Sequence, residues 1–318
     1  MPSVSSLEDA SSALAAAHAE GRTLRIGEEL TTEGLHRVLE HEAGDLTCTV
    51  EAGVRLSTLQ STLARYGQRL SLDPPGDPTI GALLAENVSG PLRHRFGAPR
   101  DLVLGVTLVL SDGTIASSGG KVVKNVAGFD LARLVCGSRG RLALIARASF
   151  RLHPVPKTSQ AVAVETDDAA AVVAALLASQ LQPSALDVLH PGPCARPESA
   201  PADSGRAEIR GVLVLFEGSS AAVAAQVAVA QDLVGGREID SVVWETSRRR
   251  QADSRGRIRF EPGRLGAILA ELDEALVRPS AGVAYTASYN LSQGQDPAVE
   301  GLLERIRHRF DPTGVLAA

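Results

Sequence analysis

LDPPGDPTIGALLAENVSGPLRHRFGAPRDLVLGVTLVLSDGT, residues 72–114, and GGKVVKNVAGFDLARLVCGSRGRLALIARASFRLHP, residues 119–154, decide how this chain is read. In the first, Pro74, Pro75, Gly76, Pro78, Gly81, Gly90 and Pro91 crowd a segment in which only Ile80 to Ala85 keeps helical spacing. Thr79-Ile80-Gly81 opens that helix. The first amides of a helix lack partners within it, so they can face a pyrophosphate. Gly76 and Gly81 permit close backbone approach, and Asn87, Ser89 and Gly90 add polar groups just beyond. A wide turn joining two strands accounts for the same residues equally well, and spacing alone leaves both readings open.

The surroundings alternate between helix and strand. Leu102 to Leu110 is a β-rich apolar run. Ser111-Asp112-Gly113-Thr114 is a hairpin turn, with Asp-Gly where positive φ is needed, and Ile115 to Ser117 is the return strand. Leu142 to Leu152 is a further strand, closed by Pro154 and Pro156. Upstream, Ser5 or Ser6 caps an opening helix, Thr23 to Ile26 is a short strand, Leu46 to Glu51 alternates as a strand, and Leu56 to Gly67 is a helix. The prolines at 154 and 156 mark a domain boundary. Beyond them, strands are expected at 161–165, 185–189, 208–216, 238–245, 258–260 and 283–289. Helices are expected at 167–179, 219–233, 265–276 and 297–310. Helices on one face of an antiparallel sheet make this second part α+β.

With 318 residues the chain is long enough for about two domains. Its 32 Lys and Arg against 37 Asp and Glu give a net charge of −5, which speaks against a nucleic-acid binder. No run of apolar residues is long enough to span a membrane, and Glu8 and Asp9, with no basic leader, do not make a secretory signal. Cys48, Cys136 and Cys194 are far apart and form no CxxC pair, which fits a reducing cytoplasm and signals no iron–sulfur or zinc site. Lysine is rare: Lys121, Lys124 and Lys157 are the only three. The chain lacks a P-loop, a Rossmann fingerprint and a nucleophile elbow. Its histidines show no metal-ligand spacing, so no metal site is expected, and His36 and His41 are expected at the surface.

The two stretches resemble the FAD-binding domain of the p-cresol methylhydroxylase/vanillyl-alcohol oxidase superfamily, and more narrowly the E subunits of bacterial glycolate oxidases. The resemblance lies in DPPG (73–76), TIG (79–81), NVSGP (87–91), RFG (95–97), RDLVLGV (100–106), DGT (112–114), KVVKNVAGFDL (121–131), GS-x-G (137–140) and FDPTGVL (310–316). It implies an α+β chain: a two-subdomain FAD-binding domain over 1–156, then a smaller antiparallel-sheet cap domain over 157–318 whose C-terminal tail returns to the first. It further implies non-covalent FAD. Pro75 and Gly76 would lie along the flavin, and Thr79, Ile80, Gly81, Asn87, Ser89 and Gly90 near pyrophosphate and ribityl. Gly137, Gly140, Arg141, Leu142 and Ile145 would lie near the adenine half or the ring face. Lys124 and Asp130 would order the loop leading there.

The sequence also departs from the family pattern. The first glycine-rich pyrophosphate loop is shortened: Leu24 to Glu42 holds only Gly27 and Gly34, and Glu28 and Glu29 oppose an anion. Ala82 replaces a glycine, and Arg141-Leu142-Ala143 replaces a Thr-Leu-Gly. Arg141 can return positive charge to a phosphate. No histidine-rich motif follows residue 156, and the basic clusters at 247–250 and 255–259 read as solvated surface or partner contacts.

The function implied is an FAD-binding subunit of a glycolate-oxidase-like complex that oxidises glycolate, a 2-hydroxy acid, to glyoxylate. It would hold or relay electrons while a catalytic FAD subunit oxidises the glycolate and an iron–sulfur subunit takes them onward, and it would be inactive alone. Such a complex would be cytoplasmic, held to the inner face of the membrane through partners. The alternatives are a flavin-free docking subunit of the same complex and a stand-alone FAD-dependent oxidoreductase.

Overall fold

A computed structural model describes residues 3–120, 130–190, 210–287 and 297–317. In chain order its elements begin with α1 (Leu7–Glu20), β1 (Val38–Glu42), β2 (Thr47–Glu51), α2 (Leu56–Ala64), β3 (Gln68–Arg69), α3 (Ile80–Glu86), α4 (Arg93–Phe96), α5 (Pro99–Leu102), β4 (Val103–Val109), β5 (Ile115–Gly119), α6 (Leu131–Val135), β6 (Leu144–Arg151) and β7 (His153–Pro154). They continue with β8 (Thr158–Val164), α7 (Ala169–Ala178), β9 (Ala185–His190), β10 (Gly211–Gly218), α8 (Ser220–Val234), β11 (Arg237–Ile239), α9 (Val243–Asp253), β12 (Gly256–Arg259), α10 (Leu265–Glu271), β13 (Ala275–Arg278), β14 (Val283–Thr286) and α11 (Pro297–Phe310). Two units separate. Residues 1–89, 97–155 and 294–318 form the first, and 90–96 with 156–293 the second. Two segments therefore depart from the expected domains: 90–96 clusters with the second unit, and α11 with the first.

The first unit is built on an antiparallel sheet in the order β1-β2-β6-β4-β5. Its central strands β2, β6 and β4 are mostly buried on both faces, which is why β4 and β6 read as nearly continuous apolar runs. One face packs Val109, Leu144 and Ala146 against Ala10, Leu14 and Ala17 of α1. The other packs Val50, Val106, Ala148 and Phe150 against Leu59 and Leu63 of α2, Leu83 and Leu84 of α3, and Val135 of α6. A bulge allows both. Thr107 pairs with Arg147 and Leu108 with Ile145, so Ala146 is skipped and the side-chain alternation of β6 changes phase. The freed carbonyl of Ala146 accepts the Ala52 amide at 2.9 Å.

α2 is capped from a distance. Its N-cap, Arg55, makes no side-chain cap. Instead the Asp77 carboxylate accepts the Ser57 amide at 2.8 Å and the Ser57 hydroxyl at 2.7 Å, and the Pro78 carbonyl accepts the Leu56 amide at 3.0 Å. The DPPGDP loop is thus the missing cap of the preceding helix. The chain's end closes the unit: Leu24 donates to the Val315 carbonyl at 2.6 Å and Ala317 to Leu24 at 3.0 Å. The Asp311 carboxylate holds the amides of Val315 and Leu316 at 2.9 and 2.7 Å.

The second unit is a seven-stranded antiparallel sheet in the order β11-β8-β10-β9-β13-β14-β12. Helices cover both faces, not one. α7, α8 and α10 pack on Val162, Val164, Val188 and Val214. Val243 and Trp244 of α9, with Leu92, pack on Ala161, Leu189, Leu213 and Tyr285. The expected strand at 238–245 is only β11, and α9 follows it. The expected helix at 265–276 stops at Glu271, and β13 begins at Ala275. Under α9 lies a desolvated ion pair. Arg278, 2% exposed, stands 3.4 Å from Asp187, which is fully buried and also accepts the Ser247 hydroxyl. Burial pushes the Asp187 carboxyl above its ordinary range, and the charge of Arg278 pulls the other way.

Two outcomes follow. A Cβ on Gly53 would stand 2.1 Å from the Thr32 carbonyl, and on Gly44 it would meet nothing within 4 Å. In urea unfolding, Gly53→Ala should lose about 2 kcal/mol or more, while Gly44→Ala stays near wild type. Second, burial raises the Glu51 carboxyl, but hydrogen bonds from Arg37 at 2.8–3.2 Å and its charge outweigh that and hold it below its ordinary 4.5. A depressed carboxyl contributes stability above its unfolded pKa and loses it as pH falls through the folded one. The stability difference between wild type and Glu51→Gln should therefore be largest near neutrality and vanish in acid.

Candidate functional site

The polar residues singled out from the sequence gather around α3, at its two ends. At seven residues the helix is about 10 Å long. Thr79 caps its start, accepting the Ala82 amide at 3.3 Å. The next amides are not free: Ile80 donates to the Val54 carbonyl at 2.9 Å and Gly81 to Ala52 at 2.7 Å. This corrects the expectation that the helix start faces a phosphate with open amides, because the exit of β2 already occupies them. Gly81 is needed for that close approach. A Cβ there would lie 3.1 Å from the Ala52 Cβ and 3.5 Å from the Thr32 hydroxyl.

At the other end, Asn87 ends α3 in the left-handed region (φ 48). Its side-chain carbonyl accepts the Arg100 amide at 3.2 Å. The turn at 137–141 docks on the same end: Gly137 donates to the Leu84 carbonyl and Arg139 to Ala85, both at 2.9 Å. Gly137, Arg139 and Gly140 all have positive φ. A Cβ on Gly140 would meet Ile26 at 2.9 Å, so the turn also lies against the first short segment, residues 24–30 of the shortened loop. Ser89 is buried, Leu142 is nearly so, and Ile145 joins Ile80 in the core. Gly90 falls to the second unit. Pro75 and Gly76 form a surface turn, with nothing within 4 Å of a Cβ on Gly76, beside the α2 cap. Lys121 to Phe129, which includes Lys124, lies outside the described residues; Asp130 caps α6 by accepting the Arg133 amide at 3.1 Å.

Two side chains in this cluster stand out. Ser138 Oγ is buried and has no hydrogen-bond partner among the described residues. Its only sequence signal was its place inside GS-x-G. Arg141 is exposed and makes no ion pair among the described residues, whereas its neighbour Arg139 pairs with Glu86 at 3.2 Å. Cys136 beside the turn is inert: burial pushes its thiol up to about 12, so it stays protonated near neutrality.

The described histidines of the first unit are structural or solvated. His36 is exposed, and His41 hydrogen-bonds Gln68 at 2.9 Å with its ring edge-on to Tyr66. Among the described residues no group of three His, Cys, Asp or Glu side chains is placed to hold a metal. No helix among them is long and apolar enough to cross a membrane.

Residues 27–119 match a family described as an FAD binding domain. Those residues belong to that family. The FAD binding domain thus spans the first short segment, α2 and α3, and FAD is the cofactor it carries. The chain is 30% identical over 221 residues to the glycolate oxidase subunit GlcE of Escherichia coli, an alignment that covers 68% of this chain and 57% of that protein. It is 35% identical over 164 residues to the glycolate oxidase subunit GlcD of Bacillus subtilis (49% and 34%), and 31% identical over 171 residues to a mitochondrial D-lactate dehydrogenase [cytochrome] of Saccharomyces cerevisiae (52% and 29%). The chain therefore spans less than two thirds of each of these relatives. In fold it is similar to alkyldihydroxyacetonephosphate synthase, with a TM-score of 0.71 at 14% identity over 99% of this chain and 75% of that one.

The described residues fit FAD through the far end of α3 and not through the first short segment. That segment is closed on itself: Gly27 donates to the Leu30 carbonyl, Glu28, Glu29 and Leu30 all donate to Arg25, and the Glu29 carboxylate takes the Arg25 amide. These amides are used, and of its charged side chains Arg25 is paired with Glu28 while Glu29 adds a further negative charge. The 137–141 turn instead offers a buried hydroxyl and a guanidinium that are both unpaired among the described residues. Ser138→Ala should leave the melting temperature unchanged or slightly higher, since no protein hydrogen bond is lost. It should weaken FAD binding about tenfold, the worth of one hydrogen bond, in a fluorescence titration. Unchanged affinity would remove Ser138 from the site.

Proposed function

We propose that this chain is the FAD-binding subunit of a complex that oxidises a short 2-hydroxy acid, glycolate, to the 2-oxo acid glyoxylate and passes the electrons on to partner subunits. The observation that carries this reading is the reach of the similarity to the glycolate oxidase subunit GlcE. At 221 residues it runs well beyond the FAD binding domain matched at 27–119. The similarity to GlcD supports the same class of complex.

When bound, FAD would hold or relay the electron pair released as the hydroxyl-bearing carbon is oxidised. The chain's own residues do the holding. Gly137 and Gly140 bring backbone close without a side chain in the way. Ser138 donates or accepts at a buried position, and Arg141 answers the phosphate charge that the closed first segment does not. Asn87 fixes the end of α3 on which this turn is docked.

Among its described residues the second unit does not offer the positive clamp that a carboxylate substrate needs. A groove of about 910 Å³ along α9, β13 and β14 is lined by Arg237, Arg249 and Arg250 but also by Glu238, Asp240, Glu245, Asp253 and Glu274, three positive charges against five negative. Arg278, the most buried arginine among the described residues, is committed to Asp187 and Tyr285. This favours substrate oxidation on a sister subunit; an iron–sulfur subunit taking the electrons onward and a place on the cytoplasmic side of a membrane belong to the same reading through the likeness to glycolate oxidase subunits.

One observation favours a second reading, a docking subunit that no longer holds flavin: the closed, acidic first segment. The visible spectrum and flavin content of the purified chain separate the two. Equimolar FAD supports the redox subunit; an apoprotein that stays colourless after incubation with excess FAD overturns it. With glycolate and an artificial dye, the chain alone should give no reduction, and reduction should appear when sister subunits are added.

A further inference from the structure

The outer helices of the second unit are built as though solvent were not their neighbour. No charged side chain occurs from Ala169 to Ala178 in α7, or from Ser219 to Gln231 in and just before α8. Solvent-facing helix surfaces ordinarily carry charge. Here the outward positions are Ala171, Ala174, Leu177, Ala224, Ala225, Ala228, Val229 and Leu233, with Leu177, Val229 and Leu233 each 45–54% exposed. The result is an apolar surface of mostly small side chains, with a few larger ones standing up from it.

A second exposed face has the opposite relief. α11 carries Val299, Leu302, Leu303, Ile306 and Phe310, one helical stripe of large side chains. Its first three members are 48–51% exposed. Charge orders the two faces as well. The salt bridge between Arg237, just after α8, and Glu165, just before α7, places the end of α8 beside the start of α7. Exposed Asp167, Asp168 and Asp232 gather at that end. The second half of α11 is basic, with exposed Arg305, His308 and Arg309.

We infer that this chain associates with a second copy of itself, α11 of one copy lying on the α7–α8 layer of the other. Leu302 and Leu303 seat among the alanines, where small residues let helices approach closely. Arg305 and Arg309 lie over the aspartate end. Each copy carries both halves of the contact, so the pairing is heterologous in residue terms. The inference is independent of the flavin reading.

Sedimentation velocity of the full chain over a concentration series tests it. Wild type should associate. Leu302→Asp with Leu303→Asp, and separately Val229→Asp with Leu233→Asp, should each sediment as a monomer with unchanged circular dichroism and melting. A mixture of the two variants should re-associate, because one intact contact is regained. A wild-type chain that stays monomeric throughout overturns the inference, as does association that survives either pair of substitutions, or a mixture that stays monomeric. If a variant fails to fold, Leu303→Cys mixed with Val229→Cys under mild oxidation decides instead. A disulfide between copies bearing different cysteines supports the pairing, and its absence overturns it.

Discussion

The first unit depends on a single knot of backbone where β2 leaves the sheet. The Ala52 amide is tied to Ala146 at the bulge of β6, and its carbonyl accepts the amide of Gly81. Val54 does the same for Ile80, and the Gly53 amide donates to Leu35 at 2.7 Å. Two positions in the knot have no room for a side chain: a Cβ on Gly53 would collide with two carbonyls, and one on Gly81 would crowd Ala52. From here α3 is aimed, and the far end of α3 receives the 137–141 turn. The bulge, the helix and the candidate FAD contacts therefore form one mechanical chain, in which the glycines matter for what they let the protein do to itself before any ligand arrives.

This changes how the TIG segment is understood. A glycine at a helix start invites the reading that a phosphate sits there. In this protein the same residue chemistry is satisfied internally, by carbonyls that would otherwise be orphaned in the core. The unspent groups lie about a helix length away, at Ser138 and Arg141.

Much of the fold was legible. The Asp112-Gly113 hairpin, the apolar runs of β4 and β6 and the capped helices α1, α7 and α8 all follow from local patterns, whereas the returning C-terminus was legible only through the family resemblance. The misreadings have physical causes. Ile239, Val242, Val243 and Trp244 look like a strand because β-branched and aromatic residues favour one. The chain instead uses 237–239 at a sheet edge and turns Val243, Trp244, Ser247 and Gln251 inward as a helix. Leu265 to Leu276 looks like one helix because nothing in it is a strong breaker, yet tertiary pairing with β9 and β14 recruits its end as β13. β1 was missed because Val38-Leu39-Glu40-His41-Glu42 is a half-exposed edge strand with little apolar alternation. In the candidate site, the GS-x-G turn was found as a motif, but only the packed structure distinguishes its buried hydroxyl from its neighbours.

The strap formed by Val315 and Leu316 also orders events in time. These residues complete the core around Leu14, Leu24 and Leu30, yet they are made after the whole of the second unit. A ribosome releases residues 156–293 as a nearly self-sufficient sheet while the first unit still lacks its closing segment. The unit that carries the FAD binding domain is therefore the last to become whole, and until then its half-finished core is what chaperones or a waiting partner would meet.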